Sequence, residues 1–378
     1  MRADRWAKRA AKAAVAGVLH RSGLRQALRT VRRVQSGGRR IVMVGYHRVV
    51  EDFTGELQRS IPGTLVSRET FRRQLEEAHQ AGFELASLPD ALDVMAGRRR
   101  ATRDLFVVTF DDGYRDVYDN AFPVLKALGV PAVVYLASGY VGTERHFAHD
   151  RLFRLARIAQ DRCFRPLYEV LPGETSLLLE PVLRGAPVSA TLDEFISRVP
   201  GGVLEQVISG LGQQLGVSPD ESMPGCAVMG WDEVRAMAAA GITLGAHTVN
   251  HTVLTLESPE RAGEELAQSR AQVERETGVP VLDFAFCNGW YSDALVALLV
   301  RHGYRSAITT EDRVNRVGGD PYTLKRKVLW EDFSRGPGGT YSASLTGCTV
   351  DDTFGTLGLA RAVEGRRPQR GMRRETVG

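Results

Sequence analysis

Residues 107–125, VVTFDDGYRDVYDNAFPVL, run apolar and β-branched side chains into two adjacent carboxylates, Asp111 and Asp112, followed by Gly113. Two like charges side by side repel each other and neither belongs in a core, so packing alone does not account for the pair. Neighbouring residues at a strand end point to opposite faces, which lets the two acids take different jobs in one pocket. A second apolar run ends in a comparable way: ITLGAHTVNHTVL delivers His247 and His251 at i, i+4. On one helical turn, or in a tight loop, that spacing aims both imidazoles at one point. Two imidazoles with a carboxylate form a common site for a divalent metal, above all Zn²⁺, with a position left open. A lone histidine is more often a satisfied core residue; a spaced pair at a strand end, with a carboxylate doublet elsewhere, points to metal chemistry.

The elements that must position these groups alternate along the chain. IVMVGY, LFVVTF, VPAVVYLA, ITLGA, VLDFAF and YRSAITT read as strands. Amphipathic helical patterns separate them, including SRETFRRQLEEAHQAG, which Ser67 caps and Gly82 stops. The repetition predicts parallel strands with crossover helices, as in a barrel or a doubly wound sheet. In a (β/α) barrel the C-terminal strand ends carry the site, and both motifs lie there. Residues 142–225 interrupt the rhythm with helices and loops, and are expected to form an insertion packed at the barrel rim.

TFDDGY and HTVNH resemble the first two motifs of the polysaccharide deacetylases, carbohydrate esterase family 4. MVGYHRVV and GWDEVRAMAAAGITLGAHTVNHTVL are similar to family segments as well, so the resemblance spans residues 41–310 outside the insertion. It implies a distorted (β/α) barrel that removes N-acetyl groups from hexosamines. Asp112, His247 and His251 would bind the divalent metal, usually zinc, and Asp111 would be the general base. The third motif, often R-x-P-x-G, matches FAFCNG with Ala285 at the arginine position, Cys287 at the proline position and Gly289 retained. What orients Asp111 is therefore open, and the late motif carrying a general acid is not visible. His47, which ends IVMVGYH, is the candidate for that acid, against a purely structural hydrogen bond. His302 reads as a helix end without a catalytic role. Tyr114, Asn288, Trp290 and Tyr291 are the residues expected to meet the sugar; Trp231 is expected to pack a helix on the barrel.

Charge is uneven. Residues 1–40 hold twelve Lys or Arg against one Asp, and residues 361–378 hold six Arg against two Glu. With a whole-chain charge of +4, these ends at +11 and +4 leave −11 for the body. An acidic body argues against nucleic acid as partner; basic ends suit contact with something anionic. The basic helical segment 1–40 interleaves Trp6, Val15, Leu19, Leu24 and Leu28 with arginines, which fits either a membrane-surface helix or a helix docked on the barrel. The expected division is this segment, a barrel over 41–335, and a partly disordered extension over 336–378.

Cys163, Cys226, Cys287 and Cys348 form no C-x-x-C pair and read as free thiols. No apolar run approaches the ~20 residues of a membrane span, and AAVAGVL is short for a signal peptide. These features lead us to expect a cytoplasmic protein with a peripheral contact at the inner membrane face. Two rival readings of the same motifs are hydrolysis of a non-sugar amide and non-catalytic glycan binding or assembly.

Overall fold

Near-continuous apolar strands, buried on both faces, are the signature of a parallel sheet covered by helices, and the chain folds accordingly. The computed structural model describes residues 2–35, 39–162, 188–196 and 198–357. The strands that build the barrel wall are β1 (Arg40–Tyr46), β2 (Leu105–Phe110), β3 (Ala132–Leu136), β4 (Thr243–Ala246), β5 (Asp283–Ala285), β6 (Ser306–Ile308) and β7 (Lys327–Val328), with four further short strands among the described residues. β1 to β6 lie side by side in chain order, all parallel, with β1 and β2 paired from Ile41↔Leu105 to Tyr46↔Phe110. The sheet curls back on itself: Ile308 bridges Leu324, and β7 pairs with β1 through Val44↔Lys327 and Gly45↔Val328. The result is a distorted (β/α) barrel, as expected.

Period-two alternation sorts the strand residues into two cores. Ile41, Met43, Leu105, Val107, Val133, Tyr135 and Ala285 meet inside the curl, which Leu88, Leu92 and Met95 of the helix Leu88–Met95 plug from below. Val42, Val44, Tyr46, Phe106, Phe110 and Leu136 face outward under the surrounding helices. Phe71, from the helix Arg68–Gln80, packs 5.0 Å from the Tyr46 ring and 5.7 Å from that of Phe110, beneath the doublet. Truncating such a ring to Ala costs about 3–5 kcal/mol. Two inward positions are glycines because the space is taken: a Cβ on Gly245 would lie 2.3 Å from the Tyr135 ring, and one on Gly45 2.9 Å from Arg326.

The insertion meets the barrel rim at Phe147 and His149 and also carries a core of its own. Its helices Ala148–Asp161, Val188–Ile196 and Gly201–Leu215 enclose an apolar cluster of their own, including Leu152, Phe195, Leu204, Ile208 and Leu211. Their amphipathic stripes need a partner, and the barrel's outer face is already covered by its crossover helices. Cys163 lies outside the described residues.

The helices Arg2–Arg21 and Leu24–Gln35 break at Gly23, where φ is +69°. Ala16 and Leu19 of the first are buried against Leu345, Cys348 and Phe354. Arg25 is buried between Asp351 (2.7 Å) and Glu77 (3.2 Å). Part of the expected C-terminal extension is thus an ordered helix, Ala343–Val350, that binds the N-terminal pair to the body. The basic tail 358–378 lies outside the described residues.

Candidate active site

The two motifs arrive on strand ends and then turn sharply. Asp111 continues β2, its N–H donating to the Tyr46 carbonyl at 3.0 Å. Asp112 (φ +74°) and Gly113 (φ +93°) then reverse the chain. His247 continues β4, bonded to the Leu136 carbonyl at 2.9 Å, and Thr248 (φ +63°) and His251 (φ +54°) fold the segment into a tight loop, not a helical turn. Glu265 staples that loop: one carboxylate oxygen accepts from the backbone N–H groups of Val249 (2.7 Å) and Asn250 (3.1 Å). Each left-handed non-glycine residue costs on the order of 1–3 kcal/mol. Asp112, Thr248 and His251, with Asn288 (φ +56°), gather here, so the strain is spent where the side chains converge.

Asp112 Oδ1 lies 3.4 Å from His247 Nε2 and 3.2 Å from His251 Nε2. This oxygen is fully buried and accepts no well-aligned hydrogen bond. An orphaned buried carboxylate oxygen facing two imidazole nitrogens is a donor set that could hold a divalent cation. The tautomer agrees. His247 Nδ1 is 2.7 Å from the Ala285 carbonyl, which can only accept. Nδ1 therefore carries the proton and Nε2 presents its lone pair toward Asp112. Burial raises the Asp112 pKa, but His251 and His247 outweigh it and hold the carboxyl well below its usual range. Burial lowers both imidazoles, but Cys287 and Asp112 outweigh it and raise them.

His247, His251 and Cys287 form a rival three-donor cluster, with donor atoms within 4.8 Å of one another. Cys287 Sγ, however, lies 3.9 Å from His247 Nδ1, on the side already donating to Ala285. The Asp112 set is favoured because it uses the free nitrogen. Cys226 and Cys287 are buried free thiols, and Cys348 is buried as well.

What orients Asp111 is a residue the sequence did not single out. Arg326 crosses the barrel interior fully buried and clamps both carboxylate oxygens, Nη1 to Oδ1 at 2.7 Å and Nη2 to Oδ2 at 2.5 Å. Nη1 also reaches Thr109 Oγ1 at 3.0 Å. A guanidinium thus serves Asp111 from the segment leading into β7, not from the strand where Ala285 stands. Burial raises the Asp111 pKa, but Arg326 outweighs it and the result is lowered. The available signal was weak: in Leu324-Lys325-Arg326-Lys327, period two turns Leu324 and Arg326 inward, while Lys327 turns to Asp312 and Asp352. His47 joins the same pocket, its Nε2 3.9 Å from Asp111 Oδ2 and its Nδ1 buried without a hydrogen bond. Burial lowers its pKa, against the pull of Asp112 and Asp111.

The expected sugar-contacting residues separate. Asn288 is exposed and Trp290 half-buried at the turn after β5. Tyr291 is instead buried in the outer core, its ring 5.6 Å from Phe286, because the chain there turns back under the next helix. Tyr114 is also buried, and its hydroxyl donates to Asp150 Oδ2 at 2.7 Å, so it braces the wall and does not face solvent. The insertion adds a residue that sequence reasoning missed: His149, 2.8 Å from the Tyr114 hydroxyl, with its ring 5.1 Å from that of His251. Trp231 packs against Gly142, as expected of a structural residue.

Both the sequence and the fold of this chain are similar to those of known proteins. The polysaccharide deacetylase family model matches residues 98–307. The Bacillus subtilis protein YxkH, assigned to the polysaccharide deacetylases, is 25% identical over 92 residues, covering 24% of this chain and 33% of its own. The poly-β-1,6-N-acetyl-D-glucosamine N-deacetylase of Staphylococcus epidermidis is 31% identical over 109 residues, 26% of this chain and 37% of its own. These matches span only about a third of either relative. The structure of IcaB from Ammonifex degensii superposes with a TM-score of 0.52 at 20% identity, over 82% of this chain and 98% of that one, a likeness of fold. With the family model covering more than half its length, and both motifs built into one pocket, this chain belongs to the polysaccharide deacetylase family.

Proposed function

We propose that the protein hydrolyses N-acetyl groups on a hexosamine-containing poly- or oligosaccharide, in making or modifying a surface glycan, with a divalent metal ion held by Asp112, His247 and His251. The observation that carries this reading is the division of labour between adjacent acids: Asp111 clamped by Arg326, Asp112 left facing two imidazoles. An ion there, zinc being the first candidate for two nitrogens and an oxygen, would when bound polarise the acetyl carbonyl and acidify a water to a pKa of about 7. Asp111 takes a proton from the attacking water. Arg326 keeps Asp111 ionised and fixed in direction; the same pull weakens it as a base, so it suits a water already acidified. As the carbon–nitrogen bond breaks, the leaving amine needs a proton, and His47, beside Asp111, is the candidate to hand it over. Exposed Asn288 and half-buried Trp290 remain the residues assigned to the sugar. Acetate release from a panel of N-acetylated glycans, with and without chelator, tests the whole reading. Release that persists after complete chelation removes the metal role, and release only from small non-sugar amides replaces the substrate.

The N-terminal helices are assigned to the surface of an anionic membrane, at the inner face, for a cytoplasmic protein. Ala16 and Leu19 pack against the helix Ala343–Val350, while Val15, Val18, Leu24 and Val31 are exposed. Exposed apolar side chains on a segment of charge +11 suit a bilayer of opposite sign. No described helix is long and apolar enough to cross a membrane.

A further inference from the structure

The insertion reaches the site through its first helix, Ala148–Asp161. Phe147, just ahead of it, is buried with its ring centroid 4.3 Å from that of Tyr140, 5.1 Å from Tyr114 and 5.5 Å from His251. That wedge fixes where the helix starts. His149 stacks on Phe147 at 5.2 Å, with 6° between the planes, and sets its ring beside His251.

The hydrogen bonds then fix its tautomer. The Tyr114 hydroxyl has one proton, and a carboxylate can only accept, so the proton goes to Asp150 Oδ2 at 2.7 Å. The Tyr114 oxygen, 2.8 Å from His149 Nε2, must therefore accept there, and Nε2 must carry the imidazole proton. Nδ1 is left as an acceptor. The two ring nitrogens diverge, so it points away from Tyr114, and it has no protein partner among the described residues. Tyr114 and Asp150 are both buried, at 1% and 5% exposure, so the arrangement is held on the protein side.

We propose that His149 is a substrate-binding residue supplied by the insertion. Its Nδ1 accepts a hydrogen bond from an N–H or O–H of the acetylated sugar seated at His251, and Tyr114 and Asp150 are positioning residues that hold the accepting tautomer. The inference rests on the deacetylase reading for its substrate class. It explains why a barrel whose strand ends already carry the reacting groups should have an insertion braced against them.

The test compares His149→Ala, His149→Asn and Tyr114→Phe in the full-length, metal-loaded protein. An Asn amide oxygen can occupy the place of Nδ1. Losing one such hydrogen bond should raise KM by roughly three- to tenfold. For His149→Ala we expect that rise with kcat, metal content and melting temperature near wild type; His149→Asn should recover most of it, and Tyr114→Phe should fall between. Binding of an N-acetylglucosamine oligomer to the metal-loaded Asp111→Asn protein, with and without His149→Ala, provides a readout independent of turnover. Weaker binding on loss of His149 supports the inference even if no acetate release is found, in which case the deacetylase reading alone fails. The proposal is overturned if His149→Ala binds as its parent does, if no oligomer binds in a His149-dependent way, if the loss falls on kcat or metal content, or if His149→Asn is no better than Ala.

Discussion

Arg326 and Asp111, 215 residues apart in sequence, meet as a two-point ion pair inside the barrel, both buried. A bidentate guanidinium–carboxylate pair fixes direction as well as charge. Gly45 permits it, since any side chain there would strike the arginine stem. Removing one partner leaves an uncompensated buried charge, so Arg326→Met should destabilise the fold by about 3–5 kcal/mol. Arg326→Met with Asp111→Asn should cost less than the sum of the two single changes, measured by denaturant unfolding of all four proteins. Additive costs would mean the pair is not coupled.

Asp111→Asn should keep the metal and still fold, at the stability cost of leaving Arg326 without its counter-charge, while losing about 10²–10⁴ in rate, because the side chain stays nearly isosteric and its basicity goes. Metal loss in this variant, with turnover per bound ion preserved, would make Asp111 a ligand instead.

The lowered Asp111 pKa sets a pH window. A depressed carboxyl contributes stability that is present above its ordinary value, near 3.8, and is lost as pH falls through the lower folded value. The acid limb of the wild-type rate should therefore not arise from Asp111. In Arg326→Lys, where the fork is lost, the Asp111 carboxyl should titrate at higher pH than in wild type, read from the NMR signal of that carboxyl. An unmoved titration would separate Arg326 from the ionisation of Asp111.

The two candidate ligand sets make opposite claims about Asp112 and Cys287. Asp112→Asn, His247→Ala and His251→Ala should each lose at least about tenfold in metal affinity, while Cys287→Ala should load normally. Metal content after dialysis decides it. Retention in Asp112→Asn with loss in Cys287→Ala would select the thiol set. Both imidazoles are raised, so in the metal-free protein their contribution to stability is present below about 6.5 and fades as pH rises through the folded values. The melting temperature of metal-free protein should fall across that rise, and added metal should restore it.

Membrane contact is best probed without cutting the segment away. Deleting residues 1–40 would also remove Arg25 and Arg40, whose partners Asp351 and Asp104 are buried. Val18→Asp with Val31→Asp changes only exposed positions. It should sharply reduce co-sedimentation with anionic vesicles while leaving the melting temperature unchanged. Wild-type binding should weaken with salt, since each basic residue near such a surface contributes on the order of 1 kcal/mol, screened within a Debye length. Unchanged binding by the double variant, or none by wild type, would remove the membrane from the account.

What the sequence alone determined is what is written locally. Alternating apolar strands and capped helices point to a parallel sheet with crossover helices, barrel or doubly wound, because period and punctuation act over a few residues; the choice of barrel came from the family resemblance. The Asp111–Asp112 doublet and the His247/His251 spacing sit at strand ends, so their convergence follows from the fold class. Ala285 in place of the third-motif arginine was equally visible, as an absence. Only the tertiary structure decided what fills it. Arg326 is one cation among three in a row, and nothing local marks it; curling the sheet brings its segment beside β1 and turns it to Asp111. His149 looked like part of an insertion until helix packing set it beside His251. Tyr114 and Tyr291 follow the motifs as sugar-facing residues would, yet both are buried, because exposure belongs to the packed layers and not to sequence distance from a catalytic group. The basic N-terminus left docking and membrane contact equally open; the helix Ala343–Val350, over three hundred residues away, packs on Ala16 and Leu19 while Val15 and Val18 stay exposed. Contacts across such separations depend on how the whole chain closes, and no short window of residues carries that information.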